Sequence, residues 1–412
     1  MDYGENNRMN KTVFGAVRVS EHVWWVGAAD WNVRNFHGYL TNRGSSYNAF
    51  LVIDEKVTLI DAVKGPFAKE MLDRIASVIE PEKIDYIVSN HSEPDHTGGL
   101  PEVIAAVKPE KVFASAAGAR TLSAYYGDLG ITTVANGESI SIGSGNLTFV
   151  ETKMLHWPDS MVTYYDRDKV LFSQDAFGMH LAGSKVWADE YDKTLLEYEA
   201  RKYFANIINL QAPKVIALLD ALPGLNLDIR MVLPDHGPLW RTQEDIAWIL
   251  SLYREFAEQK YRPRALVAYS TMWHATEKLA SAFAEGVRSA GVEVHLADLA
   301  ENDRSSIMTH VAYSGLVAFG APTMNNQMYP AMADVLCYIK GLKPKNKIGF
   351  AFGSCGWSGE GAKQISAELD AMGIEQPEKF IQVRYMPTAD ELAATRDAGK
   401  KLAELLLEKC GQ

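Results

Sequence analysis

"DYIVSNHSEPDHTGG", residues 85–99, sets a short apolar run against a cluster of polar side chains. Tyr86, Ile87 and Val88 read as a buried strand. His91, Glu93, Asp95 and His96 follow, and then two glycines. Four potential metal ligands therefore lie within six residues, directly after a strand. On an extended segment His91, Glu93 and Asp95 point the same way, while His96 turns aside. A lone His-x-Glu is a common coincidence. His-x-Glu-x-Asp-His at the end of a strand is specific to a metal site.

Further donors stand at other strand ends. His156 follows "LTFVETKML", Asp175 ends "KVLFSQD", and His236 follows "MVLPD". In layered α/β folds such ends gather along one sheet edge, so distant segments converge there. Seven donors are too many for one ion and suit two. Asp175, with two oxygens, is the natural bridge. Imidazole suits zinc and iron alike, and carboxylates shift the preference toward harder ions. Three carboxylates offset most of the charge of two divalent cations, and one further anion would offset the rest. These arguments favour a di-iron site over a di-zinc one.

The chain has 412 residues, 47% apolar and 23% charged, which suits a globular protein of two domains. Its net charge of −11 argues against nucleic acid or an anionic membrane as partner. Cys337, Cys355 and Cys410 form no Cys-x-x-Cys pair, which disfavours a sulfur-ligated metal and fits a reducing cytoplasm. "MDYGENNRMNKTVFGAVRV" at the N-terminus lacks an apolar core of signal-peptide length. No apolar run reaches the ~18 residues of a membrane span, so a cytoplasmic location is expected.

The two halves follow different patterns. Over residues 1–260, short β-branched and aromatic runs such as "AFLVI", "VTLIDAV" and "MVTYYD" interleave with amphipathic stretches such as "FAKEMLDRIASVI". This predicts a layered α/β domain. From 261 to 412, "ALVAYS", "VEVHLA", "GLVAFG", "KIGFAFG" and "FIQVRYM" alternate with helical segments. Five strands with helical crossovers predict a doubly wound parallel sheet. "KYRPR" reads as the short link.

The first turn of that second half, Ser270, Thr271, Met272, Trp273, His274, Ala275 and Thr276, crowds hydroxyls at a helix start. Unpaired N–H groups and the helix dipole favour an anion there. The glycine patterns of dinucleotide and ATP loops are missing, so a phosphate monoester fits better. Two later strand ends belong with it. Pro322, Thr323, Met324, Asn325 and Asn326 form an amide-bearing loop. Gly353, Ser354, Cys355, Gly356, Trp357, Ser358 and Gly359 form an aromatic one, in which Trp357 offers a flat face to a ring. Phosphate, amide and aromatic loops together describe an FMN pocket.

"HSEPDH", "MLHWPDSM", "SQDAFG" and "PDHGPLW", with "STMWHATEK", "APTMNN" and "GSCGWSGEG", resemble the motifs of flavodiiron proteins over essentially the whole chain. The resemblance implies a metallo-β-lactamase-like αββα sandwich (1–260) followed by a flavodoxin-like five-stranded domain (261–412). In hydrolytic relatives of the first fold the motif is His-x-His-x-Asp-His; Glu93 replaces its second histidine, the substitution associated with iron. The resemblance places His91, Glu93 and His156 on one iron and Asp95, His96 and His236 on the other, with Asp175 bridging. It implies reduction of O2 to water, of NO to N2O, or of both. It also implies a head-to-tail homodimer or dimer of dimers, in which FMN of one subunit serves the iron pair of its neighbour. A separate rubredoxin is then the expected electron donor, with reduced deazaflavin F420 as the alternative. Tyr203 and His37 resemble polar residues near the gas pocket. The rival reading is a di-zinc hydrolase carrying a flavodoxin-like domain. A third is an electron carrier or gas sensor without turnover.

Overall fold

A computed structural model describes residues 13–411. The first twelve residues, part of the stretch read for a leader, lie outside the described residues. Among the described residues no helix is long and apolar enough to cross a membrane. The chain divides into two compact units. The first is built mainly from Thr41–Ala200 and Ala217–Leu250, and the second from Ser251–Gln412 with Asn35–Leu40 and Arg201–Ile216.

The first unit is a sandwich of two sheets. One has seven strands, in the order Val17–Arg18, Val23–Trp25, Phe50–Val52, Thr58–Ile60, Tyr86–Ser89, Lys111–Ser115 and Ile131–Val134. The last four run parallel. Crossover helices such as Ala68–Ala76 join them; this one buries Ala68, Met71 and Ile75 on one stripe. The second sheet has five strands: Ser139–Ser141, Asn146–Glu151, Met161–Tyr165, Val170–Gln174 and Met231–Pro234. Val23, Phe50, Ile60 and Val88 from one sheet meet Phe149, Met161, Phe172 and Leu233 from the other in a single buried cluster. The alternation of side chains along each strand supplies this core.

In the second unit five parallel strands lie in the order Glu293–Asp298, Arg264–Tyr269, Leu316–Met324, Ile348–Cys355 and Ile381–Arg384. This bears out the expected doubly wound sheet. A two-residue strand, Gln327–Met328, adds an antiparallel edge that periodicity did not reveal. Successive residues of one strand feed opposite cores. Ala265 and Val267 pack with helices Ala275–Ser289 and Ala389–Cys410. Leu266 and Ala268 pack with Arg304–Tyr313 and Pro330–Leu342. A strand buried on both faces must be apolar throughout, which is why "ALVA" carries no polar alternation. The direction of winding reverses at Arg264–Tyr269, so the carboxyl ends of the central strands open onto a crevice.

Helices Ala275–Ser289 and Ala389–Cys410 each carry an interior glycine, which weakens a helix by ~1 kcal/mol relative to alanine. Their contact explains both. A Cβ on Gly286 would run into the Arg396 carbonyl, and one on Gly399 into that of Phe283. Gly286→Ala is therefore expected to destabilise the protein by ~1–3 kcal/mol despite its better helix propensity, read as a lowered midpoint in chemical denaturation. An unchanged midpoint would show that the crossing tolerates the methyl group.

Candidate metal centre and flavin cavity

The strand Tyr86–Ser89 ends in a loop held from below. The Asp61 carboxylate accepts from the Asn90 main-chain N–H at 2.6 Å and from Asn90 Nδ2 at 2.7 Å. Thr163 Oγ1 donates to Asn90 Oδ1 at 2.6 Å. The loop therefore has one shape, and His91 and Glu93 leave it on the same side. The extended geometry stops at Pro94, where Pro94–Thr97 makes a helical turn. The expectation that Asp95 points with His91 and Glu93 is corrected by that turn, which swings Asp95 and His96 together to a second position.

The seven predicted donors form two groups: His91, Glu93, His156 and Asp175, and Asp95, His96 and His236. Asp175 sits between them. Its Oδ2 lies 3.4 Å from His91 Nε2 and 2.9 Å from His156 Nε2. Its Oδ1 lies 3.1 Å from His96 Nε2 and 3.4 Å from His236 Nε2. Glu93 Oε2 closes the first group, 3.3 Å from His91 Nε2 and 3.2 Å from His156 Nε2. Asp95 Oδ2 closes the second, 3.1 Å from His236 Nε2 and 3.3 Å from His96 Nε2. All four Nε2 atoms converge on carboxylate oxygens in a buried space.

Neighbouring groups aim these rings. His91 Nδ1 pairs with Asp159 Oδ2 at 3.0 Å, and the same oxygen accepts from Ser92 N at 2.6 Å. His236 Nδ1 donates to the Ser46 carbonyl at 2.6 Å. Gln174 ties two ligand loops: its Oε1 accepts from Asp175 N and its Nε2 donates to the Leu155 carbonyl beside His156. Asn48 Nδ2 brackets His236 through the Pro234 and Gly237 carbonyls. His180 lies beside His236, with ring centroids 4.6 Å apart, and its Nδ1 faces Ser45 Oγ at 2.8 Å. Sequence reasoning missed Asp159, Ser46 and Asn48. Asp159 stood within the quoted "MLHWPDSM", three residues after a ligand.

Charge is unbalanced without cations. Burial alone would push the Asp175 carboxyl up, yet His96, His156 and His91 hold it well below the usual carboxylate range. Burial opposes the His96 imidazolium, but Asp95, Asp175 and Asp235 raise it to about 10. His91 and His156 rise against burial for the same kind of reason. The carboxylates thus favour the protonated form of the imidazoles that face them across the site. Both Asp95 oxygens, Asp175 Oδ1 and both His96 ring nitrogens have no hydrogen-bond partner among the described residues. Four imidazoles and three carboxylates with orphaned buried atoms fit a pair of divalent ions of intermediate hardness.

In the second unit the three predicted loops meet at one crevice. A cavity of about 420 Å³ is lined by Trp273, Ala275, Thr323, Ser354, Gly356 and Trp357, among others. In the turn before Ala275–Ser289, adjoining the lining residue Met272, Ser270 Oγ and Thr271 Oγ1 are buried without hydrogen-bond partners among the described residues. Thr276 Oγ1 and Ser354 Oγ lie 2.9 Å apart there. Orphaned hydroxyls at a helix start fit a phosphate. Met272, Pro322 and Cys355 also line the cavity. Gly353 stands in strand Ile348–Cys355, where a Cβ would strike the Ala321 carbonyl. Asn325 and Asn326 form a left-handed turn after Met324, and Asn326 Oδ1 accepts from Ser358 Oγ at 3.0 Å. Gly359 precedes helix Glu360–Ala371. His274 is not brought in: its ring is exposed and pairs with Glu277 at 2.6 Å. A fourth loop, Tyr385 and Met386, lines the cavity and was not predicted. Tyr203 is buried and His37 exposed, and both fall in the second unit.

Paired metal donors on a two-sheet sandwich, with a phosphate-and-ring cavity on a doubly wound sheet, define a two-domain metalloflavoprotein. The family model described as ODP family beta lactamase matches residues 46–237, and that of flavodoxin matches 267–399. The rubredoxin-oxygen oxidoreductase of Megalodesulfovibrio gigas is 42% identical over 96% of this chain and 99% of its own length. The nitric oxide reductase of Moorella thermoacetica is 38% identical over 94% and 98%. The crystal structure of the flavodiiron protein from Giardia intestinalis superposes with a TM-score of 0.92 at 35% identity, covering 96% of this chain and 98% of that one. The chain belongs to the flavodiiron protein family.

Because His91, His96 and His156 are all raised toward the protonated form, metal uptake is expected to release protons near neutral pH. The sign follows from the raised histidine pKa values: affinity falls as pH is lowered and rises toward pH 10. Titration of metal-depleted protein with ferrous ion in weak buffer, under anaerobic conditions, measures this. Proton-neutral uptake would contradict the charge arrangement.

Proposed function

We propose that this chain is a flavodiiron oxidoreductase that reduces O2 to water, NO to N2O, or both, with electrons relayed through FMN. His91, Glu93, Asp95, His96, His156, Asp175 and His236 hold two iron ions. The observation that carries the reading is Asp175, whose two oxygens face two separate donor groups. When bound, FMN passes electrons singly or in pairs, and an iron pair stores two and offers open positions to a small gas molecule. O2 takes four electrons and four protons to give two waters; two NO take two of each to give N2O and water.

Each unit has its part. Residues 1–260 supply the metal donors and exclude bulk water from them, since all but His156 are buried. Residues 261–412 supply the flavin loops: Ser270, Thr271 and Thr276 at the phosphate, Asn325 and Asn326 among the amides, and Trp357 against the ring. The hydrolase reading leaves the flavodoxin unit without a role, and Glu93 stands where hydrolytic relatives carry histidine.

The donor is a separate protein, a rubredoxin as in the name of the M. gigas relative; reduced F420 is the alternative. A head-to-tail homodimer, or a dimer of dimers, brings the FMN of one subunit to the iron pair of the next. Trp273 and Trp357, 80% and 85% exposed at the cavity mouth, support an apolar partner surface there. Three free cysteines support a cytoplasmic location.

Purified protein is expected to hold about two irons and about one FMN per chain, as the two sites accommodate. It should consume O2 or NO for many turnovers with reduced rubredoxin. Asp175→Ala should lower iron content and abolish turnover; Trp357→Ala should weaken FMN binding and leave iron in place. Zinc with no flavin, or full loading in both variants, would overturn the reading. An active monomer in sedimentation would overturn the dimer.

A further inference from the structure

Asp235 precedes the donor His236, and no part of the proposed reaction uses it. Its side chain is fully buried, and neither carboxylate oxygen has a hydrogen-bond partner among the described residues. A buried carboxylate in that condition is costly and calls for an explanation. Holding the ligand loop is not one, because the main chain already does so. Asp235 N donates to the Gln174 carbonyl at 2.9 Å, and Asn48 N donates to the Asp235 carbonyl at 2.7 Å.

The group that Asp235 meets is His96. Its Oδ2 lies 3.4 Å from His96 Nδ1, on the far side of the ring from the site. The nearby carboxylate of Asp61 is engaged by Asn90 through both oxygens. The other rings with an outer partner are held more tightly: His91 by Asp159 at 3.0 Å and His236 by the Ser46 carbonyl at 2.6 Å. Asp235 therefore stands to His96 as Asp159 stands to His91, at a looser distance.

We propose that Asp235 is the positioning residue for His96: its carboxylate accepts a hydrogen bond from Nδ1–H, so that Nε2 presents its lone pair to the second metal position. This rests on the iron-pair reading given above. An outer carboxylate of this kind fixes the tautomer and ring orientation and makes the ligand more basic. It also couples the two metal-binding loops, since the residue that orients His96 is the neighbour of His236. Loss of Asp235 should weaken one position and spare the other.

The test compares flavin-loaded wild type with Asp235→Leu, which removes the acceptor at similar size, and Asp235→Asn, which keeps an acceptor oxygen. Iron retained against graded chelator and the Mössbauer spectrum are read alongside FMN content and thermal midpoint. Asp235→Leu should lose ~10–100-fold in affinity at one of the two positions, with the spectrum of the other unchanged. Asp235→Asn should recover most of that loss. Asp235→Ala is read in the same way should the leucine variant not fold. Wild-type affinity and spectrum at both positions in the leucine or alanine variant, with wild type holding two irons, overturns this inference alone. A wild type that holds no iron pair overturns the underlying reading and this inference with it.

Discussion

Asp175 is the interaction on which the rest of the first unit depends. Its carboxylate is buried, and each oxygen faces two imidazole nitrogens from different strand ends. Such a group is tolerable only when matched by positive charge, from protons or from metal ions. Four loops must then arrive at one place with their donors facing inward. The sandwich makes this possible because strands of both sheets end along one edge. The buried Asn90 network and the Gln174 bridge tie the loops to one another through protein hydrogen bonds alone.

The same logic explains which parts of the site were legible in the sequence. His91, Asp175 and His236 stand within two residues of an apolar strand, and a strand end is read from composition alone. "KVLFSQD" sets Asp175 directly after its strand, and the structure brings it beside His91, Glu93 and His156. Asp95 was misdirected because a proline-initiated helical turn replaces an extended segment, and alternation has no meaning there. His156 stands five residues beyond its strand, which ends at Glu151, so the chain bends before reaching the site. Asp159, Ser46 and Asn48 act through ring nitrogens and carbonyls on the far side of the donors. Their roles depend on which loops are neighbours in space, which periodicity does not contain.

The meeting of the flavin-unit loops has a physical reason. A doubly wound sheet fixes the order of its strand ends once the helices are counted, and the crevice lies where winding reverses. Three loops at the ends of Arg264–Tyr269, Leu316–Met324 and Ile348–Cys355 therefore had to meet. His274 departs from them because it adopts a left-handed backbone at the helix start and turns to Glu277. Tyr385 was missed because "FIQVRYM" alternates like a strand to its end, whereas the strand stops at Arg384. It too takes a left-handed backbone, tied by its N–H to the Cys355 carbonyl at 2.7 Å.

Glu93 connects local chemistry to the choice of ion. A histidine there would leave the first group with three neutral imidazoles and only the shared Asp175 carboxylate. Glutamate gives that group a carboxylate of its own, matching Asp95 in the second group. Each position then has one private carboxylate and a share in the bridge, so the pair is nearly symmetric in charge. A centre that gains and loses electrons benefits from such balance, because neither ion is trapped in one charge state by its surroundings. Imidazole-rich, asymmetric surroundings would instead favour a fixed Lewis acid. Glu93 in "HSEPDH" thus gives the first donor group a carboxylate that a histidine there would not supply.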